Sequence, residues 1–250
     1  YLELESALTA DARPEAFHLQ VRGAKGDPPD ATGRQGSTTI EEGNWILSPR
    51  RVDFRDIEGL PVEGDPSRFL GAGPEVPTEH EEIRNRARSV VGSQSTVSRQ
   101  AQRLLEWVAS ETRPVRIARG VSGKRTFEER AADGPNRTAL FTAMARSVGI
   151  PTRRVYGLVY REGVLSYNEW AEIVDGGGFK PVDPAAGSLD LPGNHIRFGV
   201  LDAEGSVRAT SILAGSRFDL VPMSGAFGDI IIFKDGSTRF GKQLYAEGNR

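Results

Sequence analysis

The pattern of apolar residues changes its period twice along this chain, which limits the folds that the chain can adopt. Residues 78–148 carry apolar side chains at helical spacing, as at Ala101, Leu104 and Val108. On both sides of this block, apolar and polar residues alternate, for instance over residues 17–21 and 154–160. Such alternation is typical of half-buried β-strands. We therefore predict a helical block between two β regions.

Local signals set the limits of several predicted elements. Thr126 and Glu129 form a capping-box pattern, which predicts the start of a short helix. Asp133-Gly134-Pro135 predicts the start of the next helix, because proline is tolerated in the first helical turn. Gly149 followed by Pro151 predicts its end. Further strands are predicted over residues 164–174 and 179–182, with a hairpin over residues 230–244.

The chain contains no cysteine and three histidines, His18, His80 and His195. The absence of thiols excludes disulfides, thiolate zinc sites, iron–sulfur clusters and cysteine nucleophiles. The histidines lack metal-binding spacing, so we expect no metal and no cofactor. A net charge of −2 argues against a nucleic-acid partner. No apolar run reaches the length of a membrane span, so we expect no membrane insertion.

The 250 residues allow one large or two small domains. We predict a β-rich N-terminal region (residues 1–75), a central core (76–200) and a C-terminal β extension (201–250). The chain begins at Tyr1 rather than at methionine, which favours a piece of a longer protein. The lack of cysteine gives a weak indication of an extracytoplasmic bacterial location.

Residues 78–197 resemble the transglutaminase-like domain, a relative of the papain-like cysteine proteases. Gly149-Ile150-Pro151-Thr152-Arg153 resembles the Gly-Ile-Pro-x-Arg signature that ends a helix in this family. Asn168-Glu169-Trp170-Ala171-Glu172 stands where the family has a His-x-Trp-x-Glu strand, and Pro181-Val182-Asp183-Pro184 resembles its Asp-Pro strand end. The periodicity and the resemblance together predict an α+β fold. Its helices would pack on an antiparallel sheet, with β-rich extensions at both ends.

The resemblance also implies a catalytic chemistry, which this chain lacks. Members of the family use a cysteine after a Gly-Asp pair at the start of a helix, a histidine and an aspartate for acyl transfer. In this sequence the three positions are predicted to be Pro135, Asn168 and Asp183. Proline supplies neither a nucleophile nor a backbone N–H for an oxyanion, and asparagine cannot act as a general base. We therefore expect a pseudoenzyme that acts as a binding or scaffolding module for a peptide or protein segment.

Two alternatives stay open at this point. A hydrolase or acyltransferase could use a relocated site near Ser166, Asp183 and His195, or the domain could be a structural spacer. The candidates for residues that line a binding cleft are Ser166, Tyr167, Trp170 and His195.

Other assignments for these side chains are equally open. Trp170 also fits a core position, and His195 fits a structural role. The Asn168 amide could donate to the Asp183 carboxylate. The arginines at positions 146, 153, 154 and 161 could bind an anion or form a solvated face.

Overall fold

We analysed a computed structural model of the chain. It describes residues 4–6, 17–115, 120–161, 164–201, 216–222, 229–232 and 238–241.

Within these ranges the helical block contains four α-helices. They are α1 (Glu81–Val91), α2 (Val97–Glu111), α3 (Gly123–Glu129) and α4 (Gly134–Ser147). A short 3-10 helix, Pro66–Phe69, precedes them. The Asp133 side chain caps α4 as predicted, whereas Ser122 rather than Thr126 caps α3. The capping-box prediction was therefore wrong for α3, because Thr126 instead bonds back to the carbonyl of Ser122 from inside the helix.

The strands form two five-stranded sheets and two short pairs. Their bounds are β1 (Leu4–Ser6), β2 (Phe17–Arg22), β3 (Gln35–Glu41), β4 (Asn44–Pro49), β5 (Leu60–Pro61), β6 (Arg113–Pro114), β7 (Ala131–Ala132), β8 (Thr152–Arg161), β9 (Val164–Asp175), β10 (Gly178–Val182), β11 (His195–Val200), β12 (Arg217–Pro222), β13 (Asp229–Ile232) and β14 (Thr238–Gly241). The predicted hairpin near the C-terminus is present as β13 paired with β14, and its turn lies outside the described residues.

The central sheet has the order β11-β8-β9-β10-β5 and is antiparallel throughout. Its middle strand, β9, pairs with β8 so that Asn168 lies opposite Gly157. The other large sheet, β1-β12-β2-β4-β3, combines strands from both ends of the chain. The expected α+β fold with strand-rich termini is confirmed, whereas the domain boundaries stay a prediction.

Two apolar cores hold these layers together. In the larger one, α1, α2 and α4 pack with Ala171, Ile173 and Val182 of the central sheet. The other lies between the two sheets, where Leu158, Leu165 and Ile196 meet strands β2 and β4. Helix α4 is buried along most of its length, from Thr138 to Ala145. The start of α4 therefore has a fixed position relative to β9, and this junction forms the candidate site.

Candidate functional site

The first turn of α4 is held firmly to its surroundings. Asp133 Oδ1 accepts from the backbone N–H of Asn136 at 3.1 Å and from its side-chain amide at 2.8 Å. The Asn136 amide also donates to the carbonyl of Gly120, and its oxygen accepts from the N–H of Ser122. Because Asp133 occupies the N–H of Asn136 and Pro135 has none, the helix start offers little to an anion.

Gly134, the residue before Pro135, directly faces Asn168. A Cβ atom on Gly134 would lie 2.2 Å from Asn168 Oδ1 and 3.1 Å from Asn168 Cγ. The Asn168 side chain thus occupies the space into which a side chain at position 134 would project. Sequence analysis missed this residue, although Ala132-Asp133-Gly134 keeps the acidic middle residue of the Gly-Asp-Cys pattern.

An open cleft of about 730 Å³ lies at this junction. Among the predicted site residues, Pro135, Ser166, Tyr167 and Asn168 line it together. Gly134, Arg137 and Arg161 contribute to the same lining, as do Ala185 and Ala186. The space is in the range of small-ligand and peptide sites. The cleft has therefore not been filled by side chains, which removes the main support for the spacer interpretation.

Asp183 lies beneath the wall of the cleft and is 1 % exposed. Its Oδ1 accepts from the N–H groups of Ala185 and Ala186, at 2.9 and 3.1 Å. Among the described residues its Oδ2 has no hydrogen-bond partner, so the bond considered above from the Asn168 amide is not formed. Burial raises the pKa of Asp183, against the lowering effects of these N–H groups and of the Arg161 and Arg137 charges.

Trp170 and His195 are core side chains and lie outside the cleft. Trp170 is 1 % exposed and meets the His195 ring edge-on, with 5.1 Å between ring centroids. The two line a separate cavity of only about 20 Å³, enough for one water molecule. Of the four predicted cleft-lining residues, the structure thus places Ser166 and Tyr167 in the cleft and the other two in the core.

His195 faces the acid but is not poised for catalysis. Its Nδ1 contacts Asn194 Oδ1 at 2.9 Å, and its Nε2 lies 3.7 Å from Asp183 Oδ2, beyond hydrogen-bond distance. Ser166 Oγ instead donates to the carbonyl of Val159 at 3.4 Å. In the described ranges, no serine or threonine hydroxyl is hydrogen-bonded to His195, so the relocated nucleophile–base pair is not assembled.

Burial of His195 predicts a loss of stability in mild acid. Burial lowers its pKa to about 3, and the charges of Arg34 and Arg161 act in the same direction. Because the folded-state pKa lies below the unfolded value of 6.5, this stabilisation is complete above pH 6.5 and is lost as the pH falls towards 3. Asp183, with its raised pKa, acts in the opposite direction.

We expect the free energy of unfolding of the wild type to fall by about 2 kcal/mol more than that of His195→Gln between pH 7 and pH 5. Urea titrations at the two pH values measure this difference. Parallel pH profiles for the two proteins would contradict the assignment of His195 as the buried neutral group.

Three of the four candidate anion-binding arginines have structural roles instead. Arg146 donates to the carbonyls of Thr152 and Gly71. Arg153 pairs with Glu172, and Arg154 pairs with Glu169 and Glu75. Only Arg161 is exposed, and it lies at the cleft. The cluster is therefore neither an anion site nor a solvated face, because backbone carbonyls or carboxylates already engage three of its four members.

Two comparisons with known proteins agree with this architecture. Residues 84–184 match the core model of the transglutaminase-like superfamily. A proposed cysteine protease from Cytophaga hutchinsonii has the same fold, with a TM-score of 0.58 at 13 % identity, over 85 % of this chain and 92 % of that one. The periplasmic domain of TgpA from Pseudomonas aeruginosa aligns with a TM-score of 0.47 at 16 % identity, over 74 % and 75 % of the two chains. No curated protein matched.

The chain therefore has a transglutaminase-like fold, and residues 84–184 are the segment that matches the superfamily model. It has that fold without a single cysteine. Within the described part of the chain, no helix is both long and apolar enough to cross a membrane.

Proposed function

We propose that this protein is a catalytically inactive transglutaminase-like domain whose open cleft binds a peptide segment. The observation that carries the proposal is the pairing of Gly134 with Asn168 at the start of α4. We assign Gly134 to the position of the family's nucleophile and Asn168 to that of its base. Glycine supplies no attacking atom, and asparagine cannot take up the proton. Pro135, the residue first predicted at the nucleophile position, follows one residue later and lacks an N–H.

The open cleft supports the part of the proposal that concerns peptide binding. The cleft keeps about 730 Å³ between the start of α4, the β8–β9 pair and the loop after Asp183. Loss of the two reacting side chains removes the chemistry but not the surface on which an extended chain could lie. The alternative, a relocated hydrolase, lacks support because Ser166 Oγ bonds to the carbonyl of Val159 and no base among the described residues bonds to it.

Absence of turnover and recovery of a reactive thiol test the inactive assignment. We expect no amide hydrolysis and no amine incorporation by the wild type above a buffer blank. In Gly134→Cys/Asn168→His, an imidazole beside the new thiol should lower the thiol pKa. Alkylation by iodoacetamide at pH 7 should then be about tenfold faster than for Gly134→Cys alone.

Two further variants serve as controls for this experiment. Pro135→Cys/Asn168→His tests the neighbouring position and should alkylate more slowly than the variant at position 134. Ser89→Cys, on an exposed turn of α1, gives the rate of an ordinary surface thiol. Turnover by the wild type would refute the inactive assignment, and equal rates at positions 134 and 135 would refute the role given to Gly134.

We also propose an extracytoplasmic bacterial setting for this protein. Its support is the cysteine-free composition, which suits an oxidising compartment. Cell fractionation with an antibody against this domain tests the location.

A further inference from the structure

Asn168 offers an unused hydrogen-bonding group to the cleft. Its side chain is half-buried, and in the described part of the chain it makes no hydrogen bond. A carboxamide presents one acceptor oxygen and two N–H donors. In an extended chain the N–H and the carbonyl of one residue point to the same side, so that residue can satisfy both functions of Asn168 at once. This arrangement suits an extended backbone better than a simple ion.

The charged residues that line the cleft differ in how far other contacts already engage them. Asp133 is committed to capping α4. Arg137 donates to the Thr112 hydroxyl at 2.9 Å and to the Ala185 carbonyl at 2.6 Å, and so holds the wall together. Arg161 is exposed, and its side chain forms no ion pair or hydrogen bond within the described ranges. Arg161 acts electrostatically on the buried Asp183 without bonding to it, so among the charged residues that line the cleft it is the one left to contact a ligand directly.

Tyr167 supplies an apolar surface to the lining of the cleft. Its residue is 43 % exposed, although its hydroxyl donates to Glu169 Oε1 at 2.8 Å and is thereby occupied. The exposed part can cover the aliphatic portion of a ligand side chain. The start of α4 does not compete for a negative group, because its cap is already filled by Asp133.

We propose that the cleft selects a peptide segment with a glutamate or aspartate side chain. Asn168 would bind the backbone amide, and Arg161 would pair with the carboxylate. This inference rests on the proposed function and adds the chemical class of the ligand. The attraction is a partly exposed ion pair, so the expected gain over a neutral side chain is about fivefold in affinity.

Chemical-shift titration of the ¹⁵N-labelled chain tests the inference with three capped peptides. They are Ac-Ala-Ala-Glu-Ala-Ala-NH₂ and its glutamine and lysine counterparts, with sodium acetate as a fourth probe. Shifts of the cleft amide signals give a dissociation constant for each peptide. We expect this constant to be about fivefold lower for the glutamate peptide than for the glutamine peptide. Arg161→Gln should abolish that difference, and Asn168→Ala should weaken both peptides equally. Arg88→Gln, on the exposed face of α1, is the matched control and should change the affinity for neither peptide.

The possible outcomes separate the two proposals. A glutamine peptide that binds as tightly as the glutamate peptide overturns the carboxylate preference and leaves the proposed function standing. An Arg161→Gln variant that still prefers the glutamate peptide would likewise overturn the carboxylate preference and leave the proposed function standing. Acetate that reproduces the shifts at equal concentration reduces the site to a simple anion site and overturns the role of Asn168. If no peptide shifts any cleft signal, the binding half of the proposed function fails as well.

Discussion

Trp170→Ala should lower the free energy of unfolding by about 3–5 kcal/mol, because this side chain is a core residue. The indole is 1 % exposed and packs with Val155, Val159 and Leu191. A Cβ on Gly157 would lie 2.6 Å from its Cη2 atom, so the ring lies directly over the backbone of β8. Truncation would leave a cavity that the antiparallel sheet cannot close.

Urea unfolding measures this loss against two controls. Trp170→Phe keeps an aromatic ring and should cost less than half as much. Trp107→Ala removes a tryptophan that is only partly buried beside the larger core, and its cost should also be smaller. A loss below about 1 kcal/mol for Trp170→Ala, joined to weaker peptide binding, would instead restore Trp170 to the cleft.

Arg154→Met should destabilise the protein by about 3–5 kcal/mol, because it leaves a carboxylate buried without its cation. Arg154 and Glu169 are 7 % and 4 % exposed, and both Nε and Nη2 of the arginine donate to Glu169 Oε2. Arg154 also pairs with Glu75, which joins the segment before α1 to β8. Neutralising the acid as well, in Arg154→Met/Glu169→Gln, should recover more than half of the loss.

The exposed ion pair between Lys124 and Glu128 is the matched control. Their side chains are 56 % and 52 % exposed, so Lys124→Met should cost less than about 1 kcal/mol. Thermal and urea unfolding at pH 7 measure all three variants. If Arg154→Met and Lys124→Met proved equally mild, the buried pair would have no special role in joining these strands.

Much of the fold could be predicted because its signals are local. Helical spacing over residues 78–148 and alternation over 154–160 depend on neighbouring residues, and each gave the correct type of element. The cap of α3 was predicted wrongly, because Thr126 and Ser122 are both adequate N-cap residues by type. The choice between them depends on the tertiary position of the preceding loop.

At the candidate site, too, local signals predicted the elements but not the contacts between them. The strand that carries Asn168 and the helix start near Gly134 were predicted, but not which helix residue faces the asparagine. Successive helical side chains differ in direction by about 100°, so an offset of one residue changes the partner completely. Trp170 and His195 are close in space to the site, yet the twist and packing of the sheets turn them into the core.

The sequence alone determined that this chain cannot use a cysteine nucleophile, since a chain without cysteine cannot present a thiol in any conformation. It also determined the order of helices and strands, because periodicity is a property of neighbouring residues. Only the tertiary structure decided that Gly134 meets Asn168, that three arginines are tied to structural partners and that Arg161 is left at an open cleft. These features depend on contacts between residues far apart in the chain. Burial influences the charge and the pairing of these side chains, and a side chain is buried only once those contacts form.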